Sequence, residues 1–424
     1  MAIAGVPQLG CVIDFTNGAA FVSTAFTLDD TTKGKLGTGQ LADADDSVDV
    51  SSIVLQVSVR RGRNRILDKF EAGTATVILQ DNTGYFDPSN ASSPYYGKLV
   101  PLRKIRIFAD YNGVRYALFY GFIQSYTTHF AIGNEDVSSV TLECVDGFRL
   151  LNNVAFTTLS GAAAGDLTST RVTQLLDLAS WPAASRAIDT GSSTVQADPG
   201  TANRNLLDAI QLVADKTEFG GFYINADGQA VFLSRATLET RTSQTPVVFK
   251  DDGTGIDYQG IEVLHDDVLV LNDVKVNRLG GSVQEVQDAT SQGTYFLHTG
   301  VRADILVQTD SEALSQAQML LATRKDASVR ISSLSLNVFD ATPSSSARVI
   351  AGLNTDIFDV IQVTKTMPGA GSLSKTLLVQ GVQYDITKRS FITKLLTNEP
   401  TISGFVLDNA VTGVLDSSAG LLTY

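Results

Sequence analysis

Residues able to do acid–base, nucleophilic or metal chemistry are sparse and scattered in this chain. Its histidines are His129, His265 and His298, and none stands in an H-x3-H or H-E-x-x-H arrangement. Zinc ligation is therefore not expected. Cys144 lies between Glu143 and Val145 in a strand-like pattern, which reads as a buried structural thiol rather than a nucleophile. No G-x-S-x-G elbow and no P-loop occur. His265-Asp266-Asp267 has the types for an acid/base pair, but acidic residues beside a histidine usually mark a solvated turn. Carboxylates are plentiful, yet nothing in the sequence selects a glycosidase pair from among them. The expectation is a chain with no catalytic, metal or cofactor site.

The charged clusters read as structural too. Asp43, Asp45, Asp46 and Asp49 sit close together, but an EF-hand loop starting at Asp43 would need glycine and glutamate where Val48 and Val54 stand. That stretch reads as an acidic linker, and Asp251-Asp252-Gly253 as a turn. Arg60, Arg61, Arg63 and Arg65 form the densest basic cluster. No interleaved aromatics extend it, so ion pairing with acidic partners in an assembly is favoured over nucleic-acid contact.

Positioning such residues falls to a chain of 424 residues, roughly three domains at about 150 residues each. Hydrophobic residues make up 43%, enough for real cores, while charged residues are only 18%. Low charge in a chain of this size fits a surface partly hidden against neighbours. The net charge of −13 argues against a protein that grips nucleic-acid phosphates over its whole surface. With only Cys11 and Cys144 there is no disulfide framework. No signal peptide or membrane-length apolar run is read, so synthesis in a cytoplasm is expected.

Most of the chain reads as β-structure. Ser52–Val59 largely alternates apolar and polar residues, and in Thr74–Gln80 Ala75, Val77 and Leu79 share one face. Further strands are expected at Lys104–Ala109, Val114–Gln124 and Ser138–Val145, an antiparallel sheet compact enough to close as a small barrel over about 51–150. An α+β region follows over 151–255. It has amphipathic helices at Thr168–Ala179 and Asn203–Lys216, then a hairpin turning at Asp227-Gly228. A second β region spans 256–400, with strands at Val268–Asn277, Thr294–His298, Val329–Val338, Val360–Lys365, Thr376–Gln380 and Phe391–Thr397. Its one helix opens on the capping box Thr309–Glu312, and Thr366–Ser374 reads as a long exposed loop. Arms at 1–50 and 401–424 flank these regions.

Those arms echo each other. Phe26, Leu28, Asp29, Gly34 and Leu36 recur in register as Phe405, Leu407, Asp408, Gly413 and Leu415. Two similar turns would give this pattern, and so would two docking arms that add strands to sheet edges of neighbouring subunits.

Arg60–Gly121 resembles minor tail proteins of long-tailed bacteriophages, especially the tail-tip or baseplate hub type. The carrying residues are Arg61-Gly62-Arg63, Leu67-Asp68-Lys69-Phe70, Ala72–Val77, Phe86-Asp87-Pro88, Ser93-Pro94-Tyr95 and Leu118–Gly121. Gly221–Arg235, Leu271–Val274 and Leu378–Val382 are similar to later parts of the same family. Thr83-Gly84-Tyr85 departs from the family's Asp-Gly-Arg but keeps the turn glycine. The resemblance implies two tube-like antiparallel β-barrel domains per chain. Three copies would form a ring joining a sixfold tail tube to a threefold tip at the virion's tail end, contacting tail-tube, distal-tail and tip proteins. DNA would pass an acidic lumen without specific binding. A distal-tail or tube-type protein, or a tip-borne cell-wall hydrolase, are the alternatives.

Overall fold

The computed structural model describes residues 5–15, 18, 19, 47–66, 68–130, 138–201, 203–339, 345–369 and 371–400. The first region carries strands β1 (Gln8–Asp14), β2 (Ser47–Asp49), β3 (Val54–Gly62), β4 (Thr74–Gln80), β5 (Arg103–Tyr111), β6 (Val114–His129) and β7 (Ser139–Val145). Alternation decides which face turns inward. Ala75, Val77 and Leu79 of β4 lie opposite Cys144, Leu142 and Val140 of β7, and all six are buried. One departure from the sequence reading is β1, which lies inside the stretch read as an arm. It pairs along its whole length with β5, burying Cys11 and Ile13. The loop after β4 is held by its own polar groups as well as its prolines. The Asp81 carboxylate accepts from the backbone N–H of Tyr85 and Phe86, and Ser93 donates to the Tyr85 carbonyl.

The middle region follows its expected pattern closely. Helix α1 (Thr168–Leu178) buries Val172, Leu175 and Leu176, and α2 (Leu206–Gln211) is capped by the Asn205 side chain. Strands β8 (Gly221–Ile224) and β9 (Ala230–Leu233) form the hairpin, with Gly228 at φ +83 in its turn. Fully buried Glu218 binds the region together. Its carboxylate accepts from the Thr168 hydroxyl and from the backbone N–H of Ser192, Ser193 and Arg235, the last opening helix α3 (Arg235–Thr242).

The last region contains β10 (Val247–Lys250), β11 (Gly260–His265), β12 (Asp273–Arg278), β13 (Gln284–Gln287), β14 (Thr299–Ile305), β15 (Val329–Asn337), β16 (Val360–Met367), β17 (Gly371–Thr387) and β18 (Ser390–Asn398). Its helices are α4 (Ala289–Tyr295), α5 (Asp310–Arg324) and α6 (Ser346–Asn354), against the single helix expected. The expected capping box is present: Thr309 accepts from Glu312 N–H, and the Glu312 carboxylate accepts in return. Such a cap contributes about 1 kcal/mol. Three expectations are corrected. The strand expected at 268–277 begins only at Asp273, after a turn at 268–269. The strand expected at 294–298 is instead the end of α4 and an irregular link, because the Asp288 carboxylate caps Ser291 and starts a helix. The exposed loop expected at 366–374 is mostly paired strand, with β16 and β17 running together to Met367 opposite Gly371.

In place of two separately closed barrels, the described strands of both β regions form one thirteen-stranded sheet. Its path runs β11, β15, β18, β17, β3, β4, β7, β6, β5, β1, β2, with β16 and β10 branching from β17. The join is antiparallel pairing of β3 with β17, from Gly62 opposite Gly381 to Gln56 opposite Thr387. Strands β12–β14 stand apart as a three-stranded sheet packed on α5, where Val274, Val276, Ile305, Ala313 and Leu320 make a smaller core.

The join requires its glycines. Gly62 sits at φ +93, and a Cβ there would stand 2.4 Å from the Gln380 carbonyl oxygen. Gly97, at φ +76, has open space around it. Gly62→Ala is therefore expected to cost roughly 2–4 kcal/mol, from strain plus a backbone clash, and Gly97→Ala about 1 kcal/mol from strain alone. Denaturant midpoints of the two variants check this, and equal shifts would refute the join as described.

Candidate interaction site

A cavity of about 600 Å³ opens where the three regions meet. Its walls come from the chain just after β3, the end of α2, the strand β14 and the link before β16. Helix α2 does not end normally there. It widens into a π-helical turn at Leu212–Thr217, a geometry that is uncommon and concentrates at functional sites. Gly220 then passes so close to β9 that a Cβ would meet the Leu233 carbonyl oxygen at 2.1 Å. Phe219 just before it takes a left-handed backbone, φ 59.

Three charges meet at this wall. Arg63, 7% exposed, donates from Nε to Gln380 Oε1 at 2.9 Å and stacks its guanidinium 4.4 Å from the Phe70 ring centre. Arg302 lies 4.0 Å over the Phe219 ring and donates from Nη1 to the Asp215 and Lys216 carbonyls. Asp215 accepts from Phe222 N–H at 3.3 Å through Oδ1, while its Oδ2 has no hydrogen-bond partner. Burial pushes the Asp215 carboxyl up to about 6, although Arg63 pulls the other way. Burial likewise brings Arg63 and Arg302 down to about 10. The mutual attraction does not fully offset the loss of water, so these charges are incompletely compensated. Gln380 is fully buried, and its Nε2 also lacks a partner. The wall thus sets two arginines, Arg302 the more accessible, against the rings of Phe219 and Phe358, with an unpartnered amide nitrogen buried behind them. Such a constellation can hold a carboxylate and an apolar group side by side.

The residues singled out in the sequence lie elsewhere. Phe26, Leu28, Asp29, Gly34 and Leu36, with Phe405, Leu407, Asp408, Gly413 and Leu415, fall outside the described residues. The basic cluster is largely engaged within the chain rather than offered to partners. Arg60 pairs with Glu71 at 3.0 Å, and buried Arg61 approaches Asp356 at 2.9 Å, a charge contact without hydrogen-bond alignment. Asp266 pairs with Arg330, and Asp267 faces His298 at 3.4 Å rather than its neighbour His265. Asp251 accepts from Thr366 and pairs with Lys365, which brings it down to about 2. Cys11 and Cys144 are buried free thiols, and burial pushes Cys11 up to about 12. Among the described residues no cluster of histidine, cysteine and carboxylates suited to a metal is present, and no helix is long and apolar enough to cross a membrane. Sequence reasoning missed Asp215, Arg302 and Gln380. The one available signal was Asp215, a charge following the apolar stripe of a helix.

No protein-family model matches the chain, and no curated protein matches it. Solved structures do. The tail protein from Neisseria meningitidis MC58 is similar at a TM-score of 0.54 and 12% identity, covering 82% of this chain and 92% of that one. The 43 kDa tail protein of prophage MuSo2 from Shewanella oneidensis is similar at 0.51 and 11% identity, covering 82% and 93%. The fold is shared with these two proteins. At such identities the likeness is one of fold alone.

The Asp215 environment has a pH consequence. Its folded value near 6 lies above the ordinary 3.8, so the folded state holds the proton more tightly and loses stability as pH rises between those values. Asp215→Asn removes this penalty. The stability of the variant relative to the original chain is expected to rise from pH 4 to pH 6 and then level off. A pH series of denaturant midpoints measures it, and a flat difference would contradict the buried-charge account.

Proposed function

We propose that this chain is a non-enzymatic structural subunit of a bacteriophage-type tail, a tail-tip or baseplate hub protein acting as a homotrimer. The observation that carries this reading is the fold likeness, over 82% of the chain, to two proteins described as tail proteins. The ordered run of residues from Arg61-Gly62-Arg63 to Leu118–Gly121 supports it independently, since it resembles the hub type. One chain carrying two β regions gives three copies six such regions, the number needed to meet a sixfold tube from a threefold tip.

Edge strands supply the means of joining. Among the described residues β11 pairs only with β15, and β2 only with β1, leaving one side of each unpaired. Exposed edges of this kind are satisfied by neighbours in an assembly. The partners would be other tail proteins (tail tube, distal tail and tip), and the place the virion's tail tip after synthesis in the host cytoplasm. A net charge of −13 suits a wall that DNA passes without sticking, an effect confined to contacts within ~8 Å at physiological salt.

Native mass measurement of the purified chain, with a map of the tail tip, tests the reading. Three copies in a ring at the tip are expected. A sixfold ring would move the protein to the distal-tail or tube type, and a permanent monomer absent from particles would overturn the structural role. Clearing of cell-wall material, abolished by changing a single carboxylate, would do the same.

A further inference from the structure

The cavity between the regions has the makings of a peptide-binding site. Of the eight non-glycine residues with left-handed backbone among those described, three line it: Phe219, Asp304 and Phe358. Strain of about 1–3 kcal/mol per residue persists where the surrounding structure enforces it, and it gathers at ligand clamps. The fully buried Gln380 amide has an unpartnered Nε2 at the wall, beside Arg63 and Arg302. Residues 301–304 of β14 form another wall. Among the described residues β14 pairs only with β12, so its other side has no strand partner. An extended segment laid there would meet backbone groups on one flank, and a carboxylate on it would meet the half-buried Arg302 guanidinium.

We propose that this cavity takes the chain's own C-terminal segment, Phe405–Asp408, as an added strand. Pro400, the last described residue, is itself part of the cavity wall, so the segment begins at the site. At ~3.5 Å per extended residue, Phe405 lies within ~18 Å of Pro400, and Asp408 is within reach of the same space. The sequence Phe-Val-Leu-Asp matches the lining: apolar side chains for Phe219 and its neighbour ring Phe358, one carboxylate for the half-buried Arg302 guanidinium. This places the segment on its own chain, rather than on a neighbour as the paired motifs first implied, and it does not depend on the hub reading.

Hydrogen exchange on the full-length chain tests the proposal, comparing the original with Phe405→Ala and Asp408→Asn. Amides of 405–408 and of 301–304 are expected to exchange at least ~10-fold more slowly in the original chain than in either variant, with unchanged global unfolding midpoints. Unprotected exchange at 405–408 in the original chain overturns the proposal. So does protection that disappears on dilution, which would give the site to the segment of a second copy.

Discussion

The antiparallel join of β3 to β17 is the constraint on which the rest of the molecule depends. Gly62 and Gly381 face each other across it, and a Cβ on either would strike the opposite backbone, at 2.4 Å and 2.8 Å respectively. That close approach carries the pairing one step further, with Arg63 N–H donating to the Gln380 carbonyl. It also draws two arginines inward, since Arg61 and Arg63 flank the glycine on either side. Buried guanidinium groups are costly without partners, so the fold must supply Asp356 for one and Gln380 with two aromatic rings for the other. The residues at the join thus fix both the continuity of the sheet and the chemistry of the cavity beside it.

Both β regions use one device to curve. The 16-residue β6 pairs with β5 through its first part and with β7 through its second, the change falling at a bulge near Ile123–Ser125. The 17-residue β17 pairs with β16 first and then with β18 and β3, changing at a bulge near Val379–Gly381. A strand that changes partners midway bends, and bulges supply the extra twist. The second change of partners occurs at the join itself. Bending, joining and burying the arginines are therefore done by the same few residues.

Local chemistry was legible in the sequence where it was strong. The alternation of Thr74–Gln80, the Asp227-Gly228 turn and the Thr309–Glu312 capping box each has a short-range cause, and each is present in the structure. What was not legible depends on distant partners. Gln8–Asp14 becomes a strand because β5, nearly a hundred positions on, offers an edge. Thr366–Ser374 extends as paired strand because each side supports the other. The fate of the arginines required knowing that Asp356 and Gln380 lie opposite them. The cavity was hidden for the same reason, since Arg63, Asp215, Arg302 and Gln380 come from three regions and share no spacing.

The shape of the charge distribution follows from this division. Basic residues are the scarcer sign, 32 against 45 acidic, and several of them are held inside: Arg61, Arg63, Arg171, Arg324 and Arg330 are all buried. Arginine suits such places because its planar fork satisfies several acceptors while stacking on rings. Asp81, Asp146, Glu218 and Asp273 are buried as well, so the exposed surface keeps close to the overall acidic excess. For a hub subunit of the kind proposed, the arginines that hold the two β regions together would be withheld from phosphate, and DNA would meet a surface whose negative excess comes from the composition itself.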